Sequence, residues 1–192
     1  WTPLTTSLDR TSYHLLWSPD GSKILFGNKD FALFYVDVAT KKLVKVDESN
    51  MLKNDEFYWE ISDYGWSPDG NWICYTQVQY NRNSQVFLYS LAHAKKYAVT
   101  DDFFDNLNPA FDADGRYLYY LSSRNFDLKM DFYEDNHVVA APYQVMAVQL
   151  RDGEAPPFVE AEAPAKKDEK PAPFRVDLEA GLQVVGRPHV RD

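Results

Sequence analysis

Short apolar and aromatic runs, separated by polar turns, recur in the same order along the chain. In each of three units a first run ends in an aromatic residue, a turn follows, and two longer apolar runs come next. The longer runs lie at 23–27 and 32–38, at 71–76 and 85–91, and at 116–122 and 143–150. A short fourth run follows at 43–46, 97–100 or 157–159. Each unit therefore predicts four strands joined by short turns.

The turn that follows the first run is nearly the same in each unit. The sequence WSPDG appears at Trp17–Gly21 and again at Trp66–Gly70, and FDADG at Phe111–Gly115 is a diverged third copy. Proline sets φ at the second position of a type I turn, and glycine tolerates the positive φ that rejoins the next strand. The predicted structural turn residues are Trp17, Pro19, Asp20, Gly21, Trp66, Pro68, Asp69, Gly70, Phe111, Asp114 and Gly115. We interpret the motif as a chain reversal between antiparallel strands.

The spacing of these turns indicates the fold. Trp17 and Trp66 are 49 residues apart, and Trp66 and Phe111 are 45 apart. Four strands in about 40 to 50 residues are typical of a β-propeller blade. The apolar runs lack clean alternation, which fits strands covered on both faces, whereas an immunoglobulin-like sandwich would alternate on most strands. The sequence thus predicts an all-β fold of WD-like, four-stranded antiparallel β-propeller blades, a partial propeller of about three blades plus flanking strands.

We predict one partial propeller domain over residues 1–192. Its blades are expected at about 11–47, 57–101 and 107–159. The segment 160–173 is rich in Ala, Pro, Glu and Lys, so we expect a flexible charged linker there, and 174–192 is predicted to begin a further blade. Because a closed propeller needs about 4 to 8 blades, we expect the chain to belong to a longer protein. In isolation it is expected to pair with a copy of itself or to aggregate.

The third unit carries a long acidic and aromatic connection at 123–142, where the first unit uses only 27–31. Long structured loops often carry function, so one hypothesis is a face that contacts a partner domain or a peptide. The other hypothesis is an insertion that covers an exposed blade edge. The residues proposed for partner contact are Asp127, Asp131, Phe132, Tyr133, Glu134 and His137.

The charge of the chain narrows the range of partners. A net charge of −9 and a pI of about 4.9 disfavour contact with phosphate backbones, so we expect no nucleic-acid partner. No apolar stretch reaches about 18 residues, and an acidic surface disfavours anionic lipids, so we expect no membrane partner. The first residues show neither an initiator methionine nor a signal peptide. We expect a cytoplasmic protein and leave the periplasm open.

Signatures of catalysis or metal binding do not emerge from the sequence. Cys74 is the single cysteine and lies in an apolar run, so it is predicted to be a buried core thiol. His14 is interpreted as structural in preference to lining a channel, and His93 as a solvated turn residue. An acidic group near the third turn matches no calcium loop and is interpreted as turn caps: Asp101, Asp102, Asp105, Asp112 and Asp114. We therefore predict no catalytic residue, no metal and no cofactor.

The motifs resemble the propeller repeats of the TolB and tricorn protein families. DYGWSPDGNWICYT at 63–76 and FLYSLAHAKKYAVTDDFFDNLNPAFDADGRYLYYLSSRNFD at 87–127 are similar to two successive blades of a tricorn-like propeller. PYQVMAVQLRDGEAPPF, a charged Pro-rich insert and FRVDLEAGLQVVGRPHV then follow the order seen in bacterial tricorn homologues. The resemblance to tricorn-type serine proteases covers nearly the whole chain.

This resemblance implies a function. Tricorn-like enzymes are large serine peptidases that degrade oligopeptides and combine propellers, a PDZ domain and a separate catalytic region. The family's catalytic residues lie outside the propellers, so none is carried over to this chain. The resemblance implies a non-catalytic segment that guides or filters peptides and contacts other domains of its parent or a second copy. Two alternatives stay open here: a TolB-like interaction propeller without a linked peptidase, and the propeller of a prolyl oligopeptidase-type enzyme.

Overall fold

The computed structural model describes residues 3–5, 12–49, 61–125, 128–130, 137–139, 142–155, 157 and 183–185. Across these residues the chain forms antiparallel β-sheets joined by turns, and this described part contains no helix. The prediction of an all-β fold built from four-stranded antiparallel sheets is confirmed.

Three four-stranded sheets follow one another along the chain, and we call them blades 1, 2 and 3. Blade 1 consists of β1 (Ser12–Trp17), β2 (Lys23–Asn28), β3 (Ala32–Asp37) and β4 (Leu43–Glu48). Blade 2 consists of β5 (Ser62–Trp66), β6 (Trp72–Val78), β7 (Ser84–Ser90) and β8 (Lys95–Ala98). Blade 3 begins with β9 (Asn106–Phe111) and β10 (Tyr117–Ser122), continues after a hairpin of β11 (Leu128–Met130) and β12 (His137–Val139), and ends with β13 (Gln144–Gln149) and β14 (Gln183–Val185).

The outer strand of blade 3 differs from the sequence prediction. The repeat pattern predicted a fourth strand at 157–159, whereas β13 pairs with β14 at Gln183–Val185. Two adjacent prolines at 156 and 157 give the physical reason, because proline lacks the N–H that a strand ladder needs. The fourth strand therefore comes after the charged Pro-rich segment, and the prediction that 174–192 begins a further blade is wrong for 183–185.

Alternate residues of β6 face opposite neighbours. Ile73 and Tyr75 pack in a cluster with residues of blade 1, while Trp72 and Cys74 pack in a cluster with residues of blade 3. All four side chains are buried. A strand that is covered on both faces carries apolar side chains on both, which explains why apolar and polar residues do not alternate along Trp72–Tyr75.

The core is divided into layers that separate the blades. One cluster lies between blades 1 and 2, and a second lies between blades 2 and 3. A third cluster on the far side of blade 1 contains Ile24, Phe26 and Val36, with Leu4 packed against it. Because the clusters join only consecutive blades, the described part of the chain forms a stack in which each sheet packs on its neighbours in sequence, as adjacent propeller blades do.

The outward faces of the end blades carry exposed apolar side chains. Leu15 in β1 is 64% exposed and Val145 in β13 is 53% exposed. Tyr64 occupies the position of Leu15 in blade 2, two residues before the aromatic that ends the strand, and it is only 8% exposed. The difference arises because Tyr64 packs against blade 1.

Candidate functional site: the inner strands

The first strands of the three blades lie side by side. The Tyr64 hydroxyl of β5 accepts a hydrogen bond from the Gly27 amide at 3.0 Å and lies 2.8 Å from the His14 carbonyl oxygen of β1, to which it donates. The backbone N–H of Asn108 in β9 donates over 3.4 Å to the Asp63 carboxylate of β5. We call β1, β5 and β9 the inner strands, because these contacts bring them together along one edge of the stack.

Each inner strand contains a β-bulge at the same place. His14, Asp63 and Asn108 lie three residues before the aromatic residue that ends their strand, and their φ angles are +50°, +54° and +52°. Non-glycine residues rarely adopt a positive φ, and His, Asp and Asn tolerate it better than most. A bulge interrupts the ladder and increases the twist of its strand. Its repetition in all three blades makes it a regular feature of this fold.

Sequence reasoning missed this feature. It considered His14 alone, as structural or channel-lining, and it assigned no role to Asp63 or Asn108. The structure places all three at equivalent points on the inner strands, with His14 and Asn108 exposed and Asp63 half-buried. A signal was present in the sequence, because residue types that tolerate positive φ recur at one fixed offset from the turn.

The three turns share one hydrogen-bonded geometry. The glycine amide donates to the carbonyl of the first turn residue over 2.9 Å at Gly21 and Gly70 and over 3.0 Å at Gly115. These glycines have φ angles of +69°, +71° and +63°. The side-chain oxygen of the first turn residue then accepts the amide five residues further on. These polar side chains of the motif thus satisfy backbone N–H groups at the turn.

Asp20 illustrates how these polar groups are used. Its carboxylate accepts hydrogen bonds from the Ser18 hydroxyl at 2.5 Å and from the Ser22 hydroxyl at 2.6 Å. These bonds, the one from Ser18 foremost, hold the pKa of Asp20 well below its usual range. Asp69 takes the same place in blade 2 and accepts from the Ser67 hydroxyl at 2.6 Å. Asp20 is therefore an ionised turn cap near neutral pH.

A carboxylate of blade 1 joins two side chains of blade 2. The Tyr75 hydroxyl donates to Asp47 at 2.8 Å, and the Lys96 ammonium lies 2.9 Å from the same carboxylate. Burial and the charge of Asp47 raise the pKa of Tyr75 far above its usual range, so the phenol remains a donor. Gln77 adds a side-chain bond of 2.5 Å to the Glu48 carbonyl. These bonds fix the outer strand of blade 1 against blade 2.

Cys74 lies in the layer between blades 2 and 3. Its side chain is fully buried, and its Sγ lies 3.4 Å from the Pro109 carbonyl oxygen. Burial raises the pKa of the Cys74 thiol to about 12, so the nucleophilic thiolate is scarce near neutral pH. The prediction of a buried core thiol is confirmed.

Half of the long connection predicted at 123–142 lies outside the described residues. That part includes Asp127, Asp131, Phe132, Tyr133 and Glu134. His137 belongs to β12 in the two-stranded hairpin. The linker predicted at 160–173 also falls outside the described residues. The role of this connection in partner contact stays a prediction.

Other candidate groups lie in turns. His93 is exposed after β7, with its Nδ1 3.1 Å from the Ser90 hydroxyl oxygen. Asp101 accepts the Phe103 amide at 3.2 Å, as a capping carboxylate does. Among the described residues, no three His, Cys, Asp or Glu side chains are grouped as metal ligands. The same part of the chain has no helix with the length and apolar character to cross a membrane.

Comparison with known proteins identifies the family. The family model for the tricorn protease second beta propeller domain matches residues 7–185. A tricorn protease homolog of Saccharolobus solfataricus is 27% identical to this chain over 180 residues, which are 88% of this chain and 16% of that protein. The chain thus spans less than a fifth of the length of the curated relatives it matches.

Solved structures share the blade architecture. The crystal structure of the tricorn protease matches with a TM-score of 0.72 and 21% identity, over 91% of this chain and 17% of that one. A TolB-type structure from Agrobacterium tumefaciens matches with a TM-score of 0.50 and 18% identity, over 77% of this chain and 48% of that one. Both likenesses concern the fold. Since the family model spans nearly the whole chain, the chain belongs to the family of the tricorn protease second β-propeller domain.

Proposed function

We propose that this chain is a non-catalytic β-propeller section of a tricorn-like serine peptidase, in which the inner strands guide or filter peptides. Membership of the family supports the first part of the proposal. The row of adjacent, bulged inner strands carries the second part. Such a row offers one continuous wall of polar bulge residues to a passing peptide.

The fixed position of the inner strands supports a filtering role. Tyr64 joins β5 to the backbone of β1, and Asp63 joins β5 to β9. Buried layers stand directly behind these strands, and close-packed interiors do not deform continuously. A passage bounded by such strands keeps its width, so it admits an extended peptide and excludes a folded protein.

The bulges favour the passage of a peptide over its stable binding to the inner strands. A regular edge strand pairs readily with an extended peptide through its backbone groups. His14, Asp63 and Asn108 interrupt the ladder of each inner strand. A peptide therefore binds weakly along this wall and moves on, which guidance requires.

The outward faces of blades 1 and 3 are proposed to contact other domains of the parent protein. Leu15 and Val145 leave apolar surface exposed on the outward faces of blades 1 and 3. Exposed apolar surface on a folded domain commonly marks a contact with another protein surface. These faces support packing against neighbouring domains of the same peptidase.

Photo-crosslinking tests the guiding role. A photoreactive amino acid replaces Ala110, an exposed residue of the inner strand β9, and in a control variant replaces Lys45, an exposed residue of β4. With a labelled extended peptide, we expect crosslinks at position 110 and only background at position 45. Equal labelling at both positions would overturn the assignment to the inner strands.

A hydrolysis assay tests the non-catalytic part separately. The purified chain is incubated with fluorogenic peptides, and we expect no turnover above the buffer rate. Turnover that a single serine substitution in this chain abolishes would overturn this part of the proposal.

A further inference from the structure

A second surface lies where the β6–β7 hairpin meets the loop between β8 and β9. Tyr80 in the hairpin is 78% exposed, and Phe103 in the loop is 76% exposed. Among the described residues, these are the two most exposed large hydrophobic side chains. Exposed aromatic side chains are unfavourable in water, and where they group together they are commonly found at interaction sites. We call Phe103 and Phe104, whose rings are in contact, the aromatic platform, and Tyr80 lies in the hairpin that holds their loop.

Hydrogen bonds from the hairpin hold the loop that carries Phe103. The Asn81 side chain donates to the Asp102 carbonyl at 2.6 Å, and the Asn83 side chain donates to the carbonyls of Asp102 and Phe103 at 3.0 Å each. The Phe103 amide donates to the Asp101 carboxylate at 3.2 Å. The backbone on both sides of the Phe103 side chain is thus fixed before a partner arrives.

The platform is also supported from below. The buried Asn106 side chain donates to the Phe104 carbonyl at 2.7 Å. The Phe104 ring packs edge-to-face against Phe103 with 5.1 Å between centroids, and the Arg124 guanidinium lies 5.2 Å from the Phe104 centroid. An aromatic side chain that is already positioned loses little conformational entropy on binding.

The charges beside the platform indicate the chemistry of the partner. Asp101 and Asp102 are both exposed and directly precede Phe103. Arg82 adds one positive charge in the hairpin, while Arg124 is already stacked on the platform. The whole chain carries a net charge of −9. A Lys or Arg of a partner can therefore pair with the two carboxylates and lie over the Phe103 ring.

We propose that the aromatic platform is a docking site for a cationic segment of a partner protein, with Phe103 as its anchor. Neither Phe103 nor Phe104 lies on an inner strand, so the proposal does not depend on peptide guidance. Tyr143, which directly follows the long connection, lies beside the loop of the platform, because its hydroxyl donates to Asp105 at 2.8 Å.

Titration calorimetry with two short peptides tests the chemistry of this site. Both peptides carry leucine at the same positions; one carries lysine and arginine at the remaining positions and the other carries glutamate. We expect the wild-type chain to bind the cationic peptide and to leave the anionic peptide unbound. Equal affinity for the two peptides would show unspecific apolar contact and would overturn the proposal.

Two variants test the anchor. Phe103→Ala should weaken binding of the cationic peptide by about tenfold or more while leaving the thermal midpoint unchanged, because the side chain is exposed. Lys45→Ala is the control, since it truncates an exposed side chain of β4, away from both the platform and the inner strands, and should leave binding unchanged. Weakening in both variants, or in neither, would overturn the proposal.

Sedimentation of the chain alone provides an independent check. We expect Phe103→Ala to leave the oligomeric state unchanged. A concentration-dependent dimer that Phe103→Ala removes would assign the aromatic platform to a second copy of this chain, and the proposal would then be wrong.

Discussion

The two layers that join the blades have the same place in the repeat but different chemistry. The layer between blades 1 and 2 is rich in aromatic residues, and the hydroxyls of Tyr64 and Tyr75 bond across it to blade 1. The layer between blades 2 and 3 is mostly aliphatic. The buried Tyr120 hydroxyl in this second layer has no hydrogen-bond partner among the described residues.

This difference separates two ways of joining neighbouring blades. Aliphatic packing stabilises through the apolar area removed from water, and it is not directional. Hydrogen bonds to backbone and carboxylate groups contribute less free energy each, but they fix the position of one blade against the next. The repeat motif sets the strands and turns of every blade, while the side chains facing a neighbour decide how the two blades are held together.

The largest effect is expected in the aliphatic layer. Leu118 is fully buried there, so Leu118→Ala loses transfer free energy and leaves a cavity, at a cost of about 2–5 kcal/mol in the free energy of unfolding. Urea unfolding followed by tryptophan fluorescence measures the change. Leu15→Ala is the control, because an exposed leucine contributes little. Equal unfolding midpoints for these two variants would contradict a packed layer at Leu118.

The next largest effect comes from removing one tyrosine hydroxyl in each of the two layers and comparing the losses in stability. Tyr64→Phe removes a hydroxyl that bonds to the Gly27 amide and the His14 carbonyl, so it should cost about 1–3 kcal/mol. Tyr120→Phe removes a buried hydroxyl without a partner, so it should be neutral or stabilising. Chemical denaturation of both variants measures the contrast. The same loss in both would remove the distinction between a polar and an aliphatic layer.

A smaller effect is expected at the turns. Gly21→Ala and Gly70→Ala should each cost about 1 kcal/mol, because alanine is strained at a positive φ. An added methyl group meets nothing within 4 Å at Gly21 and meets Pro19 at an ordinary 3.5 Å at Gly70. Thermal unfolding should therefore give similar losses, whereas a much larger loss at Gly70 would reveal crowding between the turns of neighbouring blades.

The smallest effect concerns pH. The folded pKa of Asp20 is lowered from 3.8, so its turn bonds stabilise the fold above that pH and are lost as the pH falls through the folded pKa. Asp20→Asn should thus lower the thermal midpoint slightly near neutral pH, and the gap to wild type should close in strong acid. Because the carboxylate is exposed, salt screens part of the effect. A gap that is independent of pH would contradict this role.

The sequence predicted the features that are encoded locally and missed those that depend on distant contacts. Pro19 and Gly21 set a turn by their own backbone preferences, so the blades could be located from such motifs. Strand β14 pairs with β13 across a long intervening segment, and no local pattern marks Gln183–Val185 as its partner. Trp17 and Trp66 are followed by the same four residues, yet Trp17 is 58% exposed and Trp66 is half-buried, because Trp66 lies against blade 1.

The bulges of the inner strands are a further feature that could not be predicted from one stretch of sequence. His14 gives no sign in isolation that its backbone adopts a positive φ. Only the comparison with Asp63 and Asn108 at the same offset indicates a common conformation. The aromatic platform was equally hidden, because the exposure of Phe103 depends on where the β6–β7 hairpin meets its loop.

The central claim is that the blades are held together by contacts between consecutive neighbours. Hydrogen–deuterium exchange on wild type and Tyr64→Phe tests this claim most directly. Loss of the Tyr64 hydroxyl removes bonds to blade 1 and leaves the layer between blades 2 and 3 intact. We predict faster exchange in β2 and β3 of blade 1 and unchanged exchange in β10 and β13 of blade 3. Acceleration of equal size in all three blades would contradict the account.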